Sequence, residues 1–386
     1  MKHVKTFALF ESEKALTPRQ IKFLDKHVEG SWSVNPTTGL VDVKGDFDCS
    51  YRKSKTLLGI KFGVVSGNFY CPNNQLTSLE GAPRKVGGKF LCAGNKLTSL
   101  KGAPERVGGN FHCSDNQLTT LKGAPREVGG SFSCSGNKLT SLEGAPQEVG
   151  EDFYCYQNQL TSLEGAPREV GGKFSCSGNK LTSLEGAPRE VGGNFYCYQN
   201  QLTTLEGAPE KVGGSFSCYD NQLTTMEGAP GEVGRDFYCY QNQLTILEGA
   251  PGEVGGDFYC FKNLLTSLEG APEKVGGSFN CFQNQLTSLE GAPREVGGDF
   301  YLEKNSSRFK WTPKGKLEFM KLNPEWAPLI APTLPYDSLL GVVSETPTLL
   351  KAVENFDKEM YNKLLKDLGW DRMGPDLLRQ LKDGIL

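Results

Sequence analysis

The sequence predicts a repeat solenoid: an arc of short parallel strands with an N-terminal α/β cap and a C-terminal helical cap. Three observations predict it. The motif F-x-C-x-x-N-x-L-T-x-L-x-G-A-P-x-x-V-G recurs every 21 residues, in eleven copies from Phe69 to Asp299, and a twelfth opens at Phe300. A fixed period of this length marks stacked coils rather than a closed globular core. Within each copy F-x-C alternates apolar and variable positions, the pattern of a half-buried strand. The cysteines from Cys71 to Cys281 stand 21 residues apart, with Cys49 22 residues before the first. One cysteine per coil at one fixed point reads as a small buried hydrophobe, not as a disulfide framework.

Residues 1–67 read as the N-terminal cap, 68–305 as the solenoid and 306–386 as a proline-rich wrap with C-terminal helices. Thr17-Pro18-Arg19-Gln20 forms a capping box with proline at the first helical position, predicting a helix from Pro18 to His27 that ends near Gly30. S-W-S-V and L-V-D-V flank N-P-T-T-G and predict a hairpin. Phe47–Asn68 reads as a degenerate first rung. In each rung Phe and Cys point inward and the residue between them outward. The asparagines from Asn74 to Asn284 recur with the same period, and an inward amide there has to bond neighbouring rungs. Two leucines per rung, Leu160 and Leu163 for example, fill the interior. The G-A-P and V-G-G pieces make the return turns, with Val170 as a last inward plug. Twelve rungs at ~4.8 Å would span about 55 Å. Beyond Ser306, Trp311, Trp326 and several prolines predict an irregular wrap. Thr346-Pro347 opens a helix whose stripe runs Leu349, Val353, Phe356, Met360, Leu364, Leu368. This region reads as a seal on the last rung, or alternatively as a small docking module.

The repeat resembles the leucine-rich repeat, whose signature is L-x-x-L-x-L-x-x-N-x-L. Phe153, Cys155, Asn158 and Leu160 stand in for its second leucine, third leucine, asparagine and fourth leucine. N-Q-L-T-S-L is similar to the short bacterial repeats of secreted effectors. The resemblance covers residues 47 to 305 and implies an interaction scaffold. It departs in using Phe and Cys for leucines and G-A-P for the usual proline turn. Some effectors of that kind end in a ubiquitin ligase with a catalytic cysteine, but no cysteine follows Cys281. The opening K-H-V-K-T-F and the near-identical repeats also resemble proteins of tailed phages and aquatic bacteria. That implies a host-directed role, such as inhibiting a bacterial protein.

Little supports catalysis. The histidines are His3, His27 and His112; only His112 lies on a repeat, facing outward beside an inward Cys113, so nucleophile and base diverge. No C-x-x-C pair suggests zinc. A glutamate column from Glu80 to Glu290 could hold calcium, but reads more simply as a solvated face. No metal and no cofactor is expected. Net charge is −3 at a pI near 5.9, which gives no reason to expect nucleic acid or an anionic membrane. No apolar run reaches the length of a membrane span. Phe7–Phe10 is too short a core for a signal peptide, so a cytoplasmic protein is expected, in the bacterial host if phage-encoded.

The variation sits beside the cysteine. Aromatic residues gather there from Tyr154 onward: Tyr154, Tyr156, Tyr196, Tyr198, Tyr219, Tyr238, Tyr240, Tyr259, Phe261, Phe282 and Tyr301. Asp152, Asp220, Asp236, Asp257 and Asp299 accompany them. These positions should share the concave face as an exposed aromatic and acidic strip. The expected function is non-enzymatic: a scaffold gripping a protein partner with a basic surface, with nucleic acid repelled. A glycan-binding or virion-surface module and a structural spacer are the alternatives. Mutual stacking of the rings without any ligand is the simplest reading of the strip.

Overall fold

The computed structural model describes residues 16–287, 289–302 and 305. The expected wrap and helices of residues 306–386 lie outside the described residues, as does the segment before Leu16. The chain divides into two compact units. The first runs to Lys180 and includes Gly186–Pro188; the second comprises Leu181–Glu185 and the chain from Arg189 onward.

The first unit opens with helix α1 (Pro18–His27). Thr17 and Gln20 close the capping box reciprocally, and Gln20 Nε2 donates onward to the Leu58 carbonyl at 3.0 Å. Strand β1 (Val28–Val34) pairs antiparallel with β2 (Val41–Asp48), Val28 opposite Phe47 and Val34 opposite Val41. Asn35 Oδ1 accepts from the Thr37 and Thr38 amides and holds the turn. Val41, Val43 and Phe47 are buried. β2 then pairs in parallel with the next rung, Phe47 beside Phe69. One strand is therefore both the hairpin arm and the first rung.

Each later rung contributes a two-residue strand that begins at its phenylalanine. In the first unit Phe69, Phe90, Phe111, Phe132, Phe153 and Phe174 stand in parallel register. In the second, Phe195, Phe216, Phe237, Phe258, Phe279 and Phe300 do the same. A second parallel ladder forms where only turns were expected. Its valines pair from Val65 to Val149 in the first unit and from Val191 to Val296 in the second. The stack leaves the backbone N–H groups of that arc facing the next coil, and pairing is the only outlet for them.

Between the ladders lies a dry core. In one rung of the second unit Phe237, Cys239, Leu244 and Leu247 are fully buried and Val254 nearly so. Burying a side chain of the Phe or Leu class contributes about 1.5–3 kcal/mol. Phenylalanine rings stack down each unit, with centroids 5.4 Å apart for Phe195–Phe216 and 5.5 Å for Phe258–Phe279. Cysteine suits its place for two reasons. It is small enough to sit beside the Phe column, and its thiol donates to the next rung: Cys155 Sγ reaches the Ser175 carbonyl and Cys197 Sγ the Ser217 carbonyl, both at 3.3 Å.

The glycine after each valine is fixed by close approach. A Cβ on Gly255 would lie 2.4 Å from the Gly234 carbonyl oxygen. Gly255→Ala is expected to lower stability by about 3 kcal/mol through overpacking of backbone that cannot yield. Denaturant unfolding of the two proteins checks it, and equal midpoints would refute it.

Candidate interaction face

The strand face of the second unit carries two columns of outward side chains, one on each side of the cysteines. After the cysteine come Tyr198, Tyr219, Tyr240, Phe261 and Phe282. They form one continuous stack: centroids 4.5, 4.4, 4.3 and 4.8 Å apart in turn, the first three pairs within 8° of parallel and the last at 27°. Their side chains are half-buried rather than bare. The rung spacing of a parallel sheet brings identical positions close to ring-stacking distance, so the backbone itself builds this ladder.

The column before the cysteine mixes sizes. Tyr196, Tyr238, Tyr259 and Tyr301 alternate with Ser217, which is buried, and Asn280. Within a rung the two rings meet edge to face: Tyr196–Tyr198 at 6.1 Å and Tyr238–Tyr240 at 6.5 Å, with Tyr259–Phe261 tilted at 6.3 Å. Tyr238 and Tyr259 also meet, at 5.4 Å. Lys262 Nζ lies 6.0 Å over the Phe261 ring, a cation–π contact.

The acidic residues divide by role. Asp236 accepts the Asp257 amide at 3.0 Å with Oδ1, and the Tyr238 hydroxyl at 2.9 Å and the Ser215 hydroxyl at 3.1 Å with Oδ2. Asp257 Oδ1 accepts the Ser278 amide at 2.8 Å, and Asp299 Oδ2 accepts the Tyr301 hydroxyl at 2.9 Å. These carboxylates tie rungs together and hold tyrosines upright. Asp220 is different: it stands exposed on the turn beyond the ladder.

Burial pushes the Tyr219, Tyr238 and Tyr240 hydroxyls up, with Asp236 adding to Tyr238 and the neighbouring tyrosines adding to Tyr219. Tyr259 is raised to about 12, by burial first and then by Asp257. All four are neutral hydrogen-bond donors at pH 7.

In the first unit the same face is sparser. Tyr154 donates to Asp152 Oδ2 at 2.7 Å, and Asp152 Oδ1 accepts the Lys173 amide at 2.7 Å. Tyr156 meets Tyr154 edge-on at 6.2 Å and is 37 % exposed. Its counterparts on the adjacent rungs are Ser135 and Ser177, both buried, so Tyr156 belongs to no stack.

One backbone position stands out along this face. The residue two beyond the cysteine is left-handed at Gln199, Asp220, Gln241, Lys262 and Gln283, with φ between 53° and 56°. In the first unit Gly94, Gly136 and Gly178 take that place at φ 63–65°, between Asn73, Asp115 and Gln157. Asn and Asp tolerate this conformation, whereas Gln or Lys there is strained by about 1 kcal/mol or more. Of the second-unit row only Asp220 was among the residues expected at the interface. The signal for the others was the exchange of Gly and Gln at one fixed place in the repeat.

Burial pushes the Cys113 thiol well above its usual range, and its Sγ is bonded to the Ser133 carbonyl at 3.3 Å. Burial and then Lys89 lower the His112 pKa, leaving a neutral ring with Nε2 buried and without a hydrogen-bond partner among the described residues. The glutamate column is exposed and paired in part, as in Lys122–Glu143 at 3.1 Å. Among the described residues no group of His, Cys, Asp or Glu side chains converges as a metal site. No helix among them is long and apolar enough to cross a membrane. The second ladder of the first unit borders a shallow open groove of about 780 Å³, where Arg106 and Glu127 pair at 3.1 Å.

No protein-family model matches the chain, and no curated protein is significantly similar to it. Among solved structures the chain is similar to YopM from Yersinia enterocolitica WA-314, with a TM-score of 0.40 and 16% identity over 69% of this chain and 67% of that one. It is also similar to YopM, a leucine-rich effector protein from Yersinia pestis, with a TM-score of 0.42 and 17% identity over 67% of this chain and 83% of that one. On its own stacking geometry, with inward asparagines and short parallel strands at a 21-residue period, each unit of this chain is a leucine-rich-repeat-like parallel solenoid.

Proposed function

We propose that the protein is a non-enzymatic interaction scaffold whose protein partner docks on the strand face of the second unit, over Tyr198, Tyr219, Tyr240, Phe261 and Phe282. The observation that carries this is the continuous ring stack. It presents a rigid half-exposed surface with hydroxyls at one end and none at the other, and such aromatic rows supply most of the binding energy at protein interfaces. Stacking also speaks against sugar rings as the ligand. A sugar packs on a ring face, and the faces between neighbouring rungs are taken up by the rings themselves. Tyr196, Tyr238, Tyr259, Tyr301 and Asp220 flank the row; Tyr154, Tyr156 and Asp152 hold the corresponding repeat positions in the first unit. Asp220 with Asp236, Asp257 and Asp299 gives a negative cast, which suits a partner with a basic surface. The resemblance of the opening residues and of the repeats to phage proteins supports a finer reading, a phage-encoded inhibitor of a host protein acting in the bacterial cytoplasm.

The test is the triple variant Tyr198→Ser, Tyr219→Ser, Tyr240→Ser. Coils of the first unit close with Ser135 and Ser177 at this position, so serine fits the turn and the variant is expected to fold. A protein captured by the full chain from bacterial lysate, identified and purified, should bind the variant at least a hundredfold more weakly by calorimetry. Equal affinity for the two would place the site elsewhere.

A further inference from the structure

We infer that Gln199, Asp220, Gln241, Lys262 and Gln283 are the specificity row of the proposed interface, kept as side chains at a glycine-favouring backbone position because they contact the main chain of the partner protein. The inference rests on the interaction reading above and adds residues and a binding chemistry to it. The chain supplies its own control. In the first unit Gly94, Gly136 and Gly178 occupy the same point of the coil with the same left-handed backbone, in alternation with Asn73, Asp115 and Gln157, so glycine fits this turn. Five successive rungs of the second unit nevertheless carry Gln, Asp, Gln, Lys and Gln there, all left-handed. Strain retained where a relaxed alternative is available points to a use for the side chain.

Mutual support within the row does not account for it. A stacked amide ladder would need an unbroken run of Gln or Asn, and Asp220 and Lys262 interrupt the run. The side chains at 199, 220, 241 and 262 are exposed and border the aromatic stack, each on the rung of one of its rings. Two residues further, Gln201, Gln222, Gln243 and Gln285 add a second exposed amide column. A glutamine amide offers both a donor and an acceptor, as a peptide group does. Rows of them beside ring edges suit an extended polypeptide segment, whose N–H and C=O groups alternate. Gln283 adds an independent sign: its Oε1 is buried with no hydrogen-bond partner among the described residues, and an acceptor so placed lacks a donor.

The experiment uses the full chain carrying Gln199→Gly, Asp220→Gly, Gln241→Gly, Lys262→Gly and Gln283→Gly. Its Tm is expected to equal or exceed that of the parent, since the turn already accepts glycine. Its affinity for the purified protein captured by the parent is expected to fall at least tenfold. An unchanged affinity removes the row from the interface and leaves the aromatic site standing. A Tm lowered by several degrees makes the side chains part of the fold and overturns the inference. If the Tyr→Ser variant also binds undiminished, the interaction reading fails and takes this row with it.

Discussion

The protein is expected to unfold cooperatively between about pH 9 and 10, earlier than its charge balance alone would suggest. All twelve cysteines are free and buried. Burial pushes Cys49 up to about 12 and raises the thiols at 71, 92, 113, 134, 155, 176, 218, 239, 260 and 281 as well. In the unfolded chain a thiol titrates at about 8.5. The folded pKa lies above the unfolded one, so the stabilisation is intact below pH 8.5 and is lost as pH rises beyond it. One pH unit above the unfolded pKa each such thiol costs about 1.4 kcal/mol. Seven of them, Cys49 to Cys176, lie in the first unit and cost it about 10 kcal/mol, within the range a domain usually has to lose. The tyrosine hydroxyls act in the same direction but titrate higher and follow the thiols. Far-ultraviolet circular dichroism across pH 7–11 checks this, and a chain still folded at pH 10.5 would sink it.

The second large effect is expected from Asn263→Ala. The Asn263 amide donates to the Cys239, Cys260 and Phe261 carbonyls at 3.1, 3.0 and 3.5 Å, and its Oδ1 accepts the Asn242 and Leu244 amides at 3.1 and 3.2 Å. Alanine leaves two buried N–H groups without partners, whereas the Cys239, Cys260 and Phe261 carbonyls keep the Asn242 side-chain amide, the Asn284 side-chain amide and the Gln241 N–H. At about 1–3 kcal/mol for each of the two orphaned groups, a loss of about 2–6 kcal/mol is expected in chemical denaturation. Asn263→Asp should do no better, because the carboxylate cannot donate and would be charged in a dry interior. A loss below 1 kcal/mol for either would show that water replaces the amide.

The coil was legible in the sequence because its period is strict: Phe, Cys, Asn and two leucines at fixed offsets leave one way to hide them all. The α1 capping box was legible because two side chains three residues apart name their own hydrogen bonds. The second ladder was not, since V-G-G reads as a turn until stacking gives its amides a neighbour. The strip residues were legible as outward-facing, but not their condition. Whether Tyr219 is bare or stacked depends on Tyr198 and Tyr240, which lie 21 residues away on either side. Asp236 and Asp257 looked like ligand carboxylates because their inter-rung amide partners are just as distant. The left-handed row needed a dihedral angle that no residue type dictates, least of all Gln or Lys.

In-register stacking within each unit carries a genetic corollary. Successive coils of a unit pair at the same backbone positions, so a coil added or deleted as a block of about 63 nucleotides re-forms the same strand pairing. Near-identical tandem copies are also where replication slips. The length of the aromatic row, and with it the reach of whatever it holds, can therefore change between close lineages in whole coils, without any residue being substituted.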